Sequence, residues 1–355
     1  MSLAPLALLL AASAAAQTPA ADVARTMSRV DALVAQESGK DRSVIDALDR
    51  RAEALFSGLK PLGWRAAAPL GDAAKDPKRS PKARVLAVSF LAKLNDPAAF
   101  KPLSDILLDR EQDADARLGA AQGLAALDAP PQAARRTFCA ALSQPDLPRA
   151  LSDESLIALS RLGCEDPAPL EKAARAFGPR PDGADLAGAR RALAALGRSR
   201  GAPAVRSLLA LVGWYPSGGP ARAAALAALG EHRSDLIGPL APEAYPVVRD
   251  ALRDETASPA SMLTLVALAD ALGPDADELL APLASHPDAE VLVAAAEALA
   301  RRKTVKALPE LEAVVAGALN DPRFSPQPGR PDPAQLLARV EAAVEALRLA
   351  RAAAR

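Results

Sequence analysis

The chain contains two histidines, so acid–base and metal chemistry must be sought around them. His232 lies in the run Gly-Glu-His-Arg-Ser-Asp, residues 230–235, beside Glu231, Ser234 and Asp235. A histidine with a hydroxyl and carboxylates at hand is the raw material of a general base serving an oriented nucleophile. No Gly-x-Ser-x-Gly elbow accompanies it, and a charged turn between two helices is the better reading. His286 precedes Pro287 at a helix entry and has no second histidine at ligand spacing. The sequence holds no His-Glu-x-x-His, no Cys-x-x-Cys and no acidic cation loop. Residues 38–43 share with a phosphate-binding loop only Gly39 and Lys40. Val34 stands where its first glycine belongs, and Asp41 where its Ser or Thr belongs. The chain is expected to carry no metal and no cofactor, and to have no catalysis of its own.

The remaining residues with something to offer are contact residues. Trp214 and Tyr215 stand together in Val-Gly-Trp-Tyr-Pro-Ser-Gly-Gly-Pro, a Pro- and Gly-rich junction, in a chain with only 3% aromatics. Aromatics on a rigidly held loop can anchor a partner; the alternative is that Trp214 folds back over a helix end. Lys plus Arg and Asp plus Glu both number 43, so no overall field favours nucleic acid or an acidic membrane surface. The run 75–84, Lys-Asp-Pro-Lys-Arg-Ser-Pro-Lys-Ala-Arg, is read as a solvated loop. Arg outnumbers Lys by 33 to 10, which with abundant Ala and Pro is the codon signature of a GC-rich bacterial genome.

These residues are set in a repeating pattern. Half of the 355 residues are apolar and alanine dominates, a composition for closely packed helices rather than sheets. Helices with Leu or Ala at spacings of three and four end on Leu94, Leu127, Leu162, Leu196, Leu229, Leu272 and Leu299, at separations of 33, 35, 34, 33, 43 and 27 residues. Each is followed, across a Pro, Gly or Asp turn, by a second apolar helix, so the repeat is a helical hairpin. A hairpin with one apolar stripe cannot bury it alone and must stack on its neighbours.

The units resemble the HEAT and HEAT-like, phycobilisome-lyase-type repeats of bacteria, which read roughly Asp-Pro-x-x-Arg, then alanines, then Leu-Gly. Ala116, Arg117 and Leu127, Leu196-Gly197, Leu229-Gly230 and His286-Pro287-Asp288 carry the likeness, which covers about residues 42 to 320. Tetratricopeptide repeats share the period but require aromatics within the helices that are missing here. The resemblance implies an all-α fold, an α-solenoid of about eight stacked hairpins, and the class of a scaffold or protein-binding platform. It also implies that second helices face a partner, which gives Arg135, Arg136, Lys172, Arg175, Arg206, Arg249 and Arg253 a place beside Trp214 and Tyr215, bordered by Asp275, Asp277 and Glu278. The competing reading is a solvated face with pairs such as Glu171 and Arg175. Enzymes on the same scaffold, of the lyase or DNA-repair type, and a purely structural spacer are the alternatives.

The ends have their own signals. Residues 1–16 form an uncharged apolar run with Ala14 and Ala16 before a cut that would leave Gln17 first, which reads as a secretory signal without a Lys or Arg in its first region. It is too short for a bilayer of about 30 Å. The expectation is a periplasmic protein without stable membrane insertion, monomeric on its own, that binds a protein partner and no nucleic acid. A capping helix is expected within 17–41, the repeat array over 42–320, a Pro-rich loop over 321–332, read as a tether or a binding segment, and a C-terminal capping helix over 333–355. Two cysteines in an exported chain invite a disulfide. The repeat register makes Cys164 equivalent to Ala129, ten residues before Cys139. At 1.5 Å per residue that is an offset of about 15 Å, against the ~7 Å a bridge allows. Both thiols are therefore expected to be free.

Overall fold

A computed structural model describes residues 18–37, 42–128, 130–232, 234–326 and 328–354. The expected signal segment therefore lies outside the described residues. Within them every regular element is helical, and the chain divides into two bodies at Ala158 and Leu159.

The first body contains α1 (Pro19–Val34), α2 (Arg42–Ser57), α3 (Ala67–Lys75), α4 (Pro81–Lys93), α5 (Phe100–Leu108), α6 (Ala114–Ala126) and α7 (Pro131–Leu142). Helix α8 (Arg149–Leu162) carries the boundary. The starts of these helices are written in the sequence. Ser80 accepts from the Ala83 N–H and is followed by Pro81; Asp96 accepts from the Ala98 N–H and is followed by Pro97. Each pairs a capping oxygen with a proline whose missing N–H costs nothing in the first turn. First helix packs on first helix, α4 on α6, and second on second, α3 on α5 and α5 on α7. Gly123 on α6 shows why small residues recur: a Cβ there would come within 2.7 Å of the Ala92 Cβ. Alanine and glycine let the helices meet, and Phe90, Leu91, Leu103, Ile106 and Leu107 fill the space between layers with no exposed surface.

The second body contains α9 (Ala168–Ala176), α10 (Gly183–Arg198), α11 (Ala202–Trp214), α12 (Pro220–Gly230), α13 (Ser234–Ile237), α14 (Ala241–Leu252), α15 (Pro259–Asp270), α16 (Ala276–Leu280), α17 (Ala289–Arg302), α18 (Leu308–Gly317) and α19 (Pro333–Ala353). The first helices α10, α12, α15, α17 and α19 stack in that order, and α9, α11 and α14 form the second row. Each body is thus a run of layered helical hairpins, the α-solenoid arrangement. The two irregular spacings have separate causes. The 43-residue interval between Leu229 and Leu272 holds the extra turn α13 and a 3₁₀ turn at Gly238–Leu240 before α14. In the 27-residue interval that follows, the second helix shrinks to α16, and Ala281-Pro282 continues it only as a 3₁₀ turn to Ser285.

Ion pairs and hydrogen bonds between repeats tie successive layers through the arginine near the start of the first helix. Arg84 pairs with Asp113 at 2.7 Å. Arg117, 6% exposed, donates to the Leu107 carbonyl at 3.0 Å and to the Gln144 side chain. Arg222 pairs with Asp254 at 3.2 Å. The segment after α18, expected as an open tether or a binding segment, is partly docked. A 3₁₀ turn at Pro322–Phe324 buries Phe324, and Arg323 donates to the His286 carbonyl at 2.9 Å. Asp332 then caps α19 by accepting from the Ala334 N–H at 3.0 Å.

The expectation of free thiols is overturned. Cys139 and Cys164 are both disulfide-bonded, and the chain has no third cysteine. Ten residues lie about 15 Å apart only along a helix axis, where each residue advances the chain by a fixed rise. The chain instead leaves α8 at Gly163, whose φ of 70° turns the backbone off the helical path, and α9 begins only at Ala168. Cys164 sits in that bend, buried, where helical rise does not apply. Maleimide labelling of the denatured protein is expected to modify no cysteine without reductant and two after reduction. Labelling before reduction would contradict the bridge.

Candidate functional site

Helix α11 ends at Trp214 because Tyr215 turns to extended backbone, φ −76° and ψ 140°, ahead of Pro216. The two aromatics therefore leave the helix in different settings. Tyr215 is buried, 2% exposed, and its hydroxyl donates to the Ala174 carbonyl at 3.3 Å. Burial pushes its phenol up to about 12, with the Arg175 charge pulling the other way. Trp214 is half-buried with its ring 4.9 Å from that of Tyr215 at 59°. The Arg175 guanidinium lies 5.3 Å from the Trp214 ring centroid, cation–π range, and is held there by Glu171 at 2.9 Å.

An open groove runs past this pair. Its walls come from the loop between α9 and α10 (Pro179, Arg180), the end of α11 (Trp214, Tyr215, Pro216), and the middle and C-terminal part of α14 (Pro246, Val247, Asp250). A neighbouring hollow shares Pro179, Arg180, Tyr215 and Pro216 and extends the surface to Pro181 and Pro220. Below the rim, Arg222 and Asp254 form a pair whose side chains are 10% and 6% exposed. Burial opposes ionisation of Asp254, but bonds from Thr256 and the Gly218 N–H, and the Arg222 charge, hold its carboxyl below the usual range. The pair fastens the 216–219 turn to the turn after α14: the Gly218 N–H donates to Asp254 at 3.0 Å.

The structure brings Trp214, Tyr215 and Arg175 together. Arg206 projects from α11 to Glu243 on α14 at 2.9 Å, and Arg249 pairs with adjacent Asp250 at 3.1 Å. Arg135 and Arg136 belong to the first body, on α7; Arg136 is exposed, and the Arg135 Nε is buried without a hydrogen-bond partner among the described residues. Asp277 pairs with Arg302 at 2.6 Å and Glu278 accepts from the Tyr245 hydroxyl at 3.4 Å. Sequence reading passed over Pro179, Arg180 and Pro246, and over Trp64. Trp64 stands 62% exposed beside Gly63, whose φ is 52°. Its signal was available: one of only two tryptophans, flanked by Gly63 and Arg65.

His232 follows α12 half-buried, and burial lowers its pKa against a bond to the Leu196 backbone and the nearby Glu231 charge. Arg233 and the side chains of Ser234 and Asp235, its expected companions, lie outside the described residues. His286 caps a turn, its Nδ1 accepting from the Asp288 N–H at 3.0 Å. Among the described residues no group of three or more His, Cys, Asp or Glu is placed to hold a metal ion. None of the described helices is long and apolar enough to cross a membrane.

No family model matches the sequence, and no curated protein is similar to it at a significant level. Among solved structures the chain is similar to human deoxyhypusine hydroxylase in complex with glycerol, at 20% identity and a TM-score of 0.29, over 77% of this chain and 96% of that one. That neighbour is an enzyme, which runs against the expectation of a chain without catalysis of its own, and the expectation is carried no further. A likeness of this depth carries no argument about what the chain itself does.

Proposed function

We propose that the chain is an exported protein-binding platform that engages a protein partner through the groove at Trp214. The observation that carries this reading is the clamped indole. Trp214 lines an open groove while Arg175, Glu171 and Tyr215 fix its position, so its contact surface is held without further ordering on binding. Tryptophan set in this way is the commonest type of energetic anchor in protein interfaces. Export is supported by the apolar run at residues 1–16 and by the disulfide-bonded state of both cysteines, which oxidising compartments preserve. The test places the photo-crosslinking residue benzoylphenylalanine at Ser217, on the groove, or at Gln122, an exposed position on α6, in native cells. A discrete adduct is expected from Ser217, lost when Trp214→Ala is added with helix content unchanged by circular dichroism. Gln122 is expected to give no such adduct. The same adducts from both positions, or an adduct indifferent to Trp214→Ala, would refute the platform.

A further inference from the structure

The lining of the Trp214 groove limits what can lie in it. The described walls of the groove hold no strand edge, and Pro179, Pro216 and Pro246 have no backbone N–H, so a partner strand finds no ladder to extend here. What the groove offers is rigid ring surface, from its prolines and Trp214. The Tyr215 hydroxyl is already engaged by the Ala174 carbonyl, whereas the Trp214 Nε1–H makes no hydrogen bond among the described residues. A polyproline II segment matches these terms. Its backbone makes no internal hydrogen bonds, its carbonyls accept from such an indole, and its rings pack on aromatic faces at little entropic cost.

Charge adds a second constraint. Asp250 is paired with Arg249, Arg222 with Asp254, and Arg175 with Glu171. Arg180 is exposed on the groove wall and has no ion pair among the described residues. The uncompensated charge of the groove is therefore one cation. We infer that the groove takes an extended, proline-containing, acidic peptide segment of the partner, with prolines against Trp214 and a carboxylate on Arg180; this rests on the platform reading above.

The experiment uses full-length protein with Trp64→Phe, which leaves Trp214 as the sole indole, and three acetylated nine-residue peptides repeating Pro-Pro-Glu, Pro-Pro-Lys or Ala-Ala-Glu. Saturable change of Trp214 fluorescence is expected with Pro-Pro-Glu, at least tenfold weaker with Ala-Ala-Glu and about fivefold weaker with Pro-Pro-Lys, the scale of one exposed ion pair. Arg180→Glu, on an exposed loop, is expected to reverse the order of the two proline peptides without changing the circular dichroism spectrum. No saturable response to Pro-Pro-Glu up to millimolar concentration, equal binding of all three peptides, or an Arg180→Glu variant that keeps the original order would each overturn the assignment. Loss of the peptide response with the Ser217 crosslink intact removes this assignment alone. A peptide response without that crosslink counts against the platform.

Discussion

Leu196→Asp is expected to destabilise the second body by on the order of 5 kcal/mol, enough to unfold most of it at 37 °C. Leu196 is fully buried on α10 between the helices that stack against it. The substitution removes an apolar side chain, leaves a cavity and buries a carboxylate. The nearby polar side chain, His232, is itself depressed in pKa by burial and makes a poor counter-ion. The measurement is thermal or urea unfolding followed by circular dichroism, with Leu196→Met as control, for which a loss under about 1.5 kcal/mol is expected. An Asp variant that melts with the parent would mean that α10 does not face its neighbours through Leu196.

Gly163→Ala is expected to cost about 3 kcal/mol or more, from backbone overlap added to a disfavoured φ. A Cβ at Gly163 would come within 2.6 Å of the Arg198 carbonyl carbon and oxygen and 2.8 Å of the Ser199 nitrogen. Main chain cannot move aside as a flexible side chain can. Gly178 provides the comparison within the same body: its φ is 82°, yet a Cβ there would meet nothing within 4 Å. Gly178→Ala is therefore expected to cost about 1 kcal/mol, the conformational penalty alone. Urea midpoints of the two variants separate close approach from backbone preference, and equal losses would show that the approach at Gly163 is not tight.

The same glycine explains how the fold could be read from sequence. Gly163, Gly197 and Gly230 each follow the leucine that ends a first helix, and each meets the following layer: Arg198, Ala228 and Thr264, at 2.6, 3.1 and 2.9 Å from a built Cβ. Where Leu-Gly recurs it marks a close approach of layers, whereas Leu94, Leu127 and Leu299, followed by Asn95, Asp128 and Ala300, keep the period without it. After Leu229 the pattern persists without the contact: Gly273 follows Leu272, yet a Cβ there would meet nothing within 4 Å. The extra turn at Ser234–Leu240 and the shortened α16 are set by local prolines and packing, not by the period. The cysteines misled for a related reason, because a helical rise was carried into the bend at Gly163.

At the candidate site the legible part was the aromatic pair, two rare residues adjacent in sequence. Pro179, Arg180 and Pro246 come from loops and helices more than 30 residues to either side of Trp214. Prolines and arginines are common in this chain, so nothing in their spacing singled them out. Only the packing of α9, α11 and α14 assembles them.

The long and short repeats of the second body together span 70 residues from Leu229 to Leu299, twice 35. One runs late and the next early by nearly the same amount, so α17 arrives in phase with α12. The row of first helices behaves as a clock for the array, and the second elements absorb the timing errors. Insertions and losses can then accumulate on one side of the body while the other side keeps its beat, which leaves the variable side free to acquire new surfaces such as the groove at Trp214.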